Sequence, residues 1–407
     1  MERAKRQDLI RHEEDHRQRP RPAKKPQIKP KSRAAQTIHI LSVDYTLFIS
    51  VLLLVLIGIV MVFSASYYNA VARGADGGRF HYFTSQGINA GIGFVAMFFA
   101  ANINYRYTKP FVWPVYVFSL VLLVLVLFIG VEVNGARRWL LIPGINFQFQ
   151  PSEVAKLTVI MMIAKVVSSK QNSKILNTLR GTLFVSLIAV APILIIGDQN
   201  LSTVIVLVLI GFGMIFVASP YTAVFVALGM AGVGALTSFF LFFAEGFRGN
   251  RIAAWLDPFA YARGTGFQTV QSLYAIGSGG LFGLGLGQSR QKLGFIPEAH
   301  NDIIFSVIIE ELGLVGGGLI LFLFGVFLWR AIKIAITAGD LYGSLIATGI
   351  AVMVGSLTII NVGVVTNTIP NTGVPLPFIS FGGTSLIITL ASVGLLLSIS
   401  RYKKDID

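Results

Sequence analysis

The chain has 407 residues, of which 54% are hydrophobic and only 13% charged, with a formal net charge of +14. It is too apolar for a soluble protein and far too long for a single span, so its class is a polytopic membrane protein. There is no cysteine, which excludes disulfide staples, thiolate metal sites and thiol nucleophiles.

Residues 1–43 come first and hold 12 basic and 5 acidic side chains, half of the net charge. Pro20, Pro22, Pro26, Pro30 and scarce apolar residues make this tail an expected disordered segment. Attraction to an anionic inner leaflet accounts for its charge. Nucleic-acid binding would need a fold or interleaved aromatics, which the tail lacks, so no nucleic-acid partner is expected. The first apolar run follows about 40 polar residues and is too long for a cleavable signal peptide.

Crossing about 30 Å of hydrocarbon takes ~20 apolar residues. Such runs lie near 45–67, 86–104, 111–131, 152–168, 181–197, 202–218, 222–245, 303–329, 343–366 and 384–400. They predict an all-α membrane domain of about ten transmembrane helices over residues 44–402. Length and flanks decide the boundaries, because a lipid-facing helix can be apolar all round. Lys and Arg set the orientation. With the N-terminus inside, 23 of the 33 fall on cytoplasmic segments and nine on outside loops, with Lys156 left inside a span. The expectation is N-in and C-in, with a large extracytoplasmic loop at 246–301 between helices seven and eight and a short cytoplasmic tail at 403–407.

The ionisable residues gather toward the outside. Pro151 sits at a plausible first helical position of the fourth span, so Glu153 and Lys156 are i and i+3 on one face. Glu310 and Glu311 come two turns into the eighth span, Asp198 closes the fifth, and Asn361 falls in the outer half of the ninth. Apart from boundary residues such as Asp44 and Lys165, the inner halves hold almost no ionisable group. Charges inside a membrane cost several kcal/mol unless paired or wet, which makes them functional candidates. A structural reading stands beside each: Glu153 and Lys156 as a lock within one helix, Glu310 or Glu311 satisfied by a neighbouring helix end, and Arg137, Arg138 and Trp139 as an interfacial anchor. In the functional reading, guanidinium forks beside an aromatic hold a lipid phosphate at headgroup height.

The loop at 246–301 carries Asp257, Arg248, Arg251, Arg263, the run G-S-G-G-L-F-G-L-G-L-G-Q-S-R-Q-K and His300. Asp257 before Pro258 reads as an N-cap with proline at N1 of a short helix. No strand precedes the glycines, so a nucleotide-type phosphate loop is a weak reading, and tight folding of the backbone against the membrane surface is the better one. His300 has no second ligand at metal spacing.

The segments N-G-A-R-R-W, F-Q-P-S-E-V-A-K-L, W-L-D-P followed by G-F-Q-T-V-Q-S, G-L-G-L-G-Q-S-R-Q-K-L, I-P-E-A-H-N-D-I-I-F-S-V-I-I-E-E-L-G and T-G-V-P-L-P-F-I-S-F-G-G-T-S resemble the SEDS family, the shape, elongation, division and sporulation proteins. Order, spacing and the ten-span frame match over roughly residues 42–402. The glycine-rich segment is more similar to the division (FtsW) branch than to the elongation (RodA) branch, and a sporulation paralogue of the FtsW type stays open. Two places depart from the family pattern: G-D-Q-N-L-S-T after the fifth span, and Asn371 before Thr372 and Gly373.

The resemblance implies peptidoglycan glycosyltransfer from lipid II, the undecaprenyl-pyrophosphoryl disaccharide-pentapeptide, at the outer face of a bacterial cytoplasmic membrane, with division-septum synthesis as the expected role. It implies that Asp257 is the catalytic base, that Arg137, Arg138, Trp139 and Lys156 bind or orient the pyrophosphate, and that Glu153 holds Lys156. Glu310 would organise the cavity floor. A divalent cation, Mg or Mn, is expected to assist, and no organic cofactor is. The implied partners are a class B penicillin-binding protein, other divisome proteins and membrane lipids. Two rival functions remain on sequence alone. A lipid II flippase would need polar lining through the whole membrane, and a non-catalytic scaffold would make the loop acid dispensable.

Overall fold

A computed structural model describes residues 38–40, 43–72, 78–133, 136–142, 147–169, 175–221, 223–224, 227, 230, 252–292 and 299–404. Most of the tail expected over 1–43, most of the expected seventh span at 222–245 and residues 246–251 and 293–298 of the large loop lie outside the described residues. The described chain is mostly helical. In order the helices are α1 (Tyr45–Ala72), α2 (His81–Asn102), α3 (Val112–Ile129), α4 (Pro151–Val167), α5 (Leu179–Ile196), α6 (Leu201–Ala218), α7 (Phe267–Gly279), α8 (Ile304–Thr337), α9 (Leu341–Val365) and α10 (Gly383–Arg401).

All but one of these coincide with an expected span; α7 belongs to the large loop. Seven segments of the described chain are long and apolar enough to cross a membrane, those built on α1, α2, α3, α6, α8, α9 and α10. Helix α4 has 17 residues with Glu153, Lys156 and Lys165 among them, and α5 has 18 with Pro192 inside. The protein is thus a multi-pass membrane protein, and α9 and α10 are its most enclosed long helices. Close approach without a hydrophobic driving force needs small side chains. At Gly394 of α10 a Cβ would lie 2.4 Å from the Met97 carbonyl oxygen of α2.

The all-α expectation needs one correction. Between α3 and α4 the chain forms three antiparallel strands, β2 (Val131–Val133), β3 (Ala136–Ile142) and β4 (Phe147–Phe149), in the order β2-β3-β4. Backbone N–H and C=O groups near the apolar boundary need partners, and segments this short obtain them by pairing with each other. A further strand, β1 (Ile38–Ile40), pairs antiparallel with β5 (Tyr402–Lys404). The last residues of the expected disordered tail and the start of the expected C-terminal tail are therefore joined.

At that end of the bundle ion pairs tie helix termini together. Arg330 of α8 grips Asp44, just before α1, with contacts of 3.0 and 2.5 Å to Oδ2, and Asp44 also accepts the Leu47 N–H at 3.0 Å. Arg106 meets Asp340 at 2.6 Å, while Asp340 caps α9 through the Gly343 N–H at 2.8 Å.

Toward the opposite end α8 is broken. Gly313 has φ 71° and ψ −175° inside the helix, and the glycine-rich segment after α7 supplies the missing partners. Leu284 N–H donates to the Glu310 carbonyl at 2.9 Å and Gly285 N–H to that of Glu311 at 3.0 Å, while Leu314 and Val315 donate to the Gly280 and Leu281 carbonyls at 3.0 and 3.1 Å. The segment folds tightly, as expected, but against the backbone of a spanning helix. Only glycine suits the contact: Gly283 has φ +81° and its Cβ would lie 2.2 Å from the Glu311 carbonyl oxygen. Gly283→Ala is expected to destabilise by at least the ~1–3 kcal/mol of a forced backbone conformation. Gly277→Ala, whose Cβ would meet nothing within 4 Å, should leave the detergent-solubilised melting temperature unchanged or slightly raised. Equal melting temperatures for the two variants would refute the interlock.

Candidate active site

The site residues expected from the sequence all lie at the end of the bundle where α8 begins. Helix α4 enters there with Pro151 at its start and Gln150 before it. Thr384 at the start of α10 accepts the Gln150 N–H at 3.2 Å and donates to the Gln148 carbonyl at 3.1 Å, which fixes that entry. One turn on, Lys156 Nζ donates to Glu153 Oε1 at 2.9 Å, and both side chains are buried. The i,i+3 pair read from spacing is formed.

Arg137, Arg138 and Trp139 stand on β3, in a strand where a loop was expected. Both arginines are exposed and Trp139 is half-buried. Arg137 Nε lies 3.8 Å from Glu132 of β2, and its backbone N–H donates to Gln199 Oε1 at 3.2 Å. Arg138 Nε donates to the Gln199 carbonyl. The strand is thereby tied to the α5–α6 connection, and its guanidinium groups stand at the rim.

Glu310 and Glu311 are almost wholly buried, and their partners lie in the glycine-rich segment. Glu310 accepts from Ser289 Oγ at 2.5 Å and from the backbone N–H groups of Arg290 at 2.9 Å and Gln291 at 3.4 Å. Glu311 accepts from Lys292 Nζ at 2.7 Å, Gly287 N–H at 2.9 Å and Ser64 Oγ of α1 at 2.7 Å. Lys292 Nζ also donates to Ser64 Oγ at 2.9 Å. Sequence reasoning missed Lys292, Ser64 and Ser289. The available signal was electrostatic: two adjacent carboxylates in a spanning helix require donors, and a lysine closes the glycine run.

Asp257 is exposed. Its Oδ1 accepts the Ala260 N–H at 3.1 Å, the cap contact read from Asp-Pro, and among the described residues no other group bonds its carboxylate. Trp255, two residues before it, is tied to a helix end. Its indole N–H donates to the Asn367 carbonyl at 3.1 Å, and Asn367 Nδ2 returns a bond to the Trp255 carbonyl at 3.1 Å. Asn367 adopts φ 56° to make this exchange, just beyond α9. The acid is thus presented on a turn docked to a rigid helix end.

Amides and carbonyls fill the space between. Asn361 Nδ2 donates to the Asp302 and Val374 carbonyls at 2.6 and 2.8 Å, and Asn371 Nδ2 donates to Gln268 Oε1 at 2.9 Å. His300 is buried, its ring 4.4 Å from that of Tyr82 and 5.5 Å from that of Phe381. Among the described residues no group of three or more His, Asp or Glu side chains could hold a metal ion.

A profile of the cell cycle protein family that unites FtsW, RodA and SpoVE matches residues 44–405. The chain belongs to this family. It is 45% identical over 369 residues to stage V sporulation protein E of Bacillus subtilis, covering 89% of this chain and 98% of that one. With a probable peptidoglycan glycosyltransferase FtsW of Geobacter sulfurreducens it shares 38% identity over 365 residues, 89% of this chain and 96% of the relative. These similarities place it on the FtsW-like side of the SEDS proteins. The rod shape determining protein RodA of Thermus thermophilus has the same fold, with a TM-score of 0.62 at 29% identity over 89% of this chain and 97% of that one. A chain of a peptidoglycan synthase complex, solved to explain the structural coordination of polymerization and crosslinking, gives 0.72 at 28% identity over 89% and 98%.

The buried pair on α4 generates a stability test for this SEDS protein. Removing one partner strands a charge, so Glu153→Ala should cost about 3–5 kcal/mol. Adding Lys156→Met to it should restore most of that loss, and thermal unfolding in detergent reads both. A double variant no more stable than Glu153→Ala would rule out charge pairing as the cause.

Proposed function

We propose that this protein is a peptidoglycan glycosyltransferase that polymerises lipid II at the outer face of the cytoplasmic membrane. In this reading the chain crosses ten times with both ends inside, so the polar end bearing Asp257, Glu153 and Lys156 faces outward. The observation that carries it is the exposed Asp257 carboxylate on a turn locked to α9 by the reciprocal Trp255–Asn367 bonds, in a chain whose relatives include proteins named as peptidoglycan glycosyltransferases.

An inverting transfer needs a base for the acceptor GlcNAc hydroxyl as its oxygen attacks the anomeric carbon of the MurNAc donor. Asp257 takes that proton while the C–O bond to the pyrophosphate breaks and the leaving group departs with its electron pair. Oδ1 holds the turn and Oδ2 is left for the hydroxyl. Arg137 and Arg138 meet the anionic headgroup at the rim beside Trp139. Lys156, fixed by Glu153, contributes positive potential from below, and Glu310 shapes the floor by holding the glycine segment. A divalent cation, Mg or Mn, would be held by the substrate's pyrophosphate oxygens with one or two carboxylates and would offset the charge of the leaving group; the described residues by themselves form no cage for one.

The biological role we propose is septal wall synthesis with other divisome proteins. The 45% identity to a sporulation protein favours wall synthesis during sporulation as a second reading. A class B penicillin-binding protein packed against α8 and α9 is the proposed crosslinking partner, supported by the likeness to a chain of a peptidoglycan synthase complex.

Two measurements test this. Asp257→Asn keeps the cap, because Asn caps about as well as Asp, and removes the base. It should fold, insert and associate with the partner, yet make at least about 10²-fold less glycan from labelled lipid II. Substantial polymerisation by the folded variant would leave Asp257 as a cap only. The purified wild-type chain should polymerise weakly alone and strongly with the partner, and equal output in the two states would remove the partner from the mechanism. Protein-dependent passage of labelled headgroup across proteoliposomes would point to a flippase.

A further inference from the structure

The turn at residues 287–292 receives more fixing contacts than an exposed turn needs for its own stability. Glu310 and Glu311 spend their oxygens on it: the Ser289 hydroxyl and the Arg290 and Gln291 N–H groups on one, the Gly287 N–H and the Lys292 ammonium on the other. Neither carboxylate is left to meet a substrate. What the turn presents outward is Arg290, which is exposed and has no carboxylate partner among the described residues. Beside it the Gln291 amide oxygen is buried without a hydrogen-bond partner. Among the described residues three other cations at this end are paired with carboxylates: Arg137 with Glu132, Lys156 with Glu153, Lys292 with Glu311. Arg263 is also exposed and has no carboxylate partner among the described residues, but its turn lacks such buried anchors there.

We propose that Arg290, with Gln291 beside it, is a binding element for a lipid-borne phosphate, and that Glu310 and Glu311 act through the turn as positioning residues. The backbone pairing of Leu284 and Gly285 with Glu310 and Glu311 sets the segment beside the second turn of α8, roughly 9 Å along the axis from Ile304. In the proposed orientation a guanidinium there faces the outer leaflet, where lipid phosphates lie. Its fork matches phosphate oxygens in pairs, and the fixed turn lowers the entropy cost of holding it. Identifying the phosphate as the donor's pyrophosphate rests on the proposed function; a bilayer phospholipid offers the same chemistry.

The test uses the full chain with its partner. Initial rates are measured against the concentration of undecaprenyl-pyrophosphoryl disaccharide-pentapeptide, in phospholipid-free micelles and in phosphatidylglycerol vesicles. In micelles Arg290→Ala should raise KM about 10-fold or more, the worth of a charge-assisted hydrogen bond, with kcat within about 3-fold; Arg290→Lys should fall between it and wild type. An effect confined to the vesicles assigns the site to bilayer phosphate. No change in either medium overturns the proposal. Glu310→Gln should raise KM in the same direction, and combined with Arg290→Ala should add little, because both act through one contact; full additivity would overturn the positioning role. Thermal stabilisation by farnesyl pyrophosphate, lost in Arg290→Ala, reads binding without turnover. An inactive wild type that still shows it refutes the proposed function and leaves this site standing.

Discussion

Hydrocarbon gives a polypeptide nothing to bond to, and the break in α8 is where this protein answers that constraint most fully. A spanning helix interrupted at Gly313 would expose carbonyls and amides at a cost of several kcal/mol each. The segment after α7 takes them up through four backbone bonds, and its own turn is in turn satisfied by two side chains from the helix it repairs. Lys292, Glu311 and Ser64 then draw α1 into the same contact. Three elements far apart in sequence are held by one set of reciprocal bonds. The position of everything presented from the large loop depends on it.

The two ends of the bundle use charge differently. Where β1 meets β5, the ion pairs Asp44–Arg330 and Arg106–Asp340 join helix termini directly, and the charges neutralise each other in place. At the other end the buried pairs work as supports beneath exposed groups: Glu153 and Lys156 under the entry of α4, Glu310 and Glu311 under the turn that bears Arg290. This asymmetry fits chemistry that happens at one membrane surface. Between the ends, α9 and α10 give an enclosed frame against which the remaining helices are set.

Much of the frame was legible because length and hydrophobicity determine what can cross a membrane. The pairing of Glu153 with Lys156 was legible because i,i+3 geometry leaves little choice once Pro151 begins the helix. The small sheet was not, since V-E-V, A-R-R-W-L-L-I and F-Q-F are each too short to show a period. The partners of Glu310 and Glu311 were hidden for another reason. Nothing local tells a lysine after a glycine run that its carboxylate lies on the next spanning helix. The joint between Trp255 and Asn367 was hidden in a similar way: the two residues lie 112 positions apart, and only the bonds between them reveal it.

The repair of α8 also bears on how the protein is made. The ribosome releases the glycine segment before it releases α8, so the segment's amides emerge with their eventual acceptors not yet synthesised. Until α8 arrives, that stretch must remain hydrated or borrow bonds from the insertion machinery, and α8 alone enters the bilayer as two imperfect half-helices. Completion of this face is therefore a late event of biogenesis, coupled to the insertion of a later span.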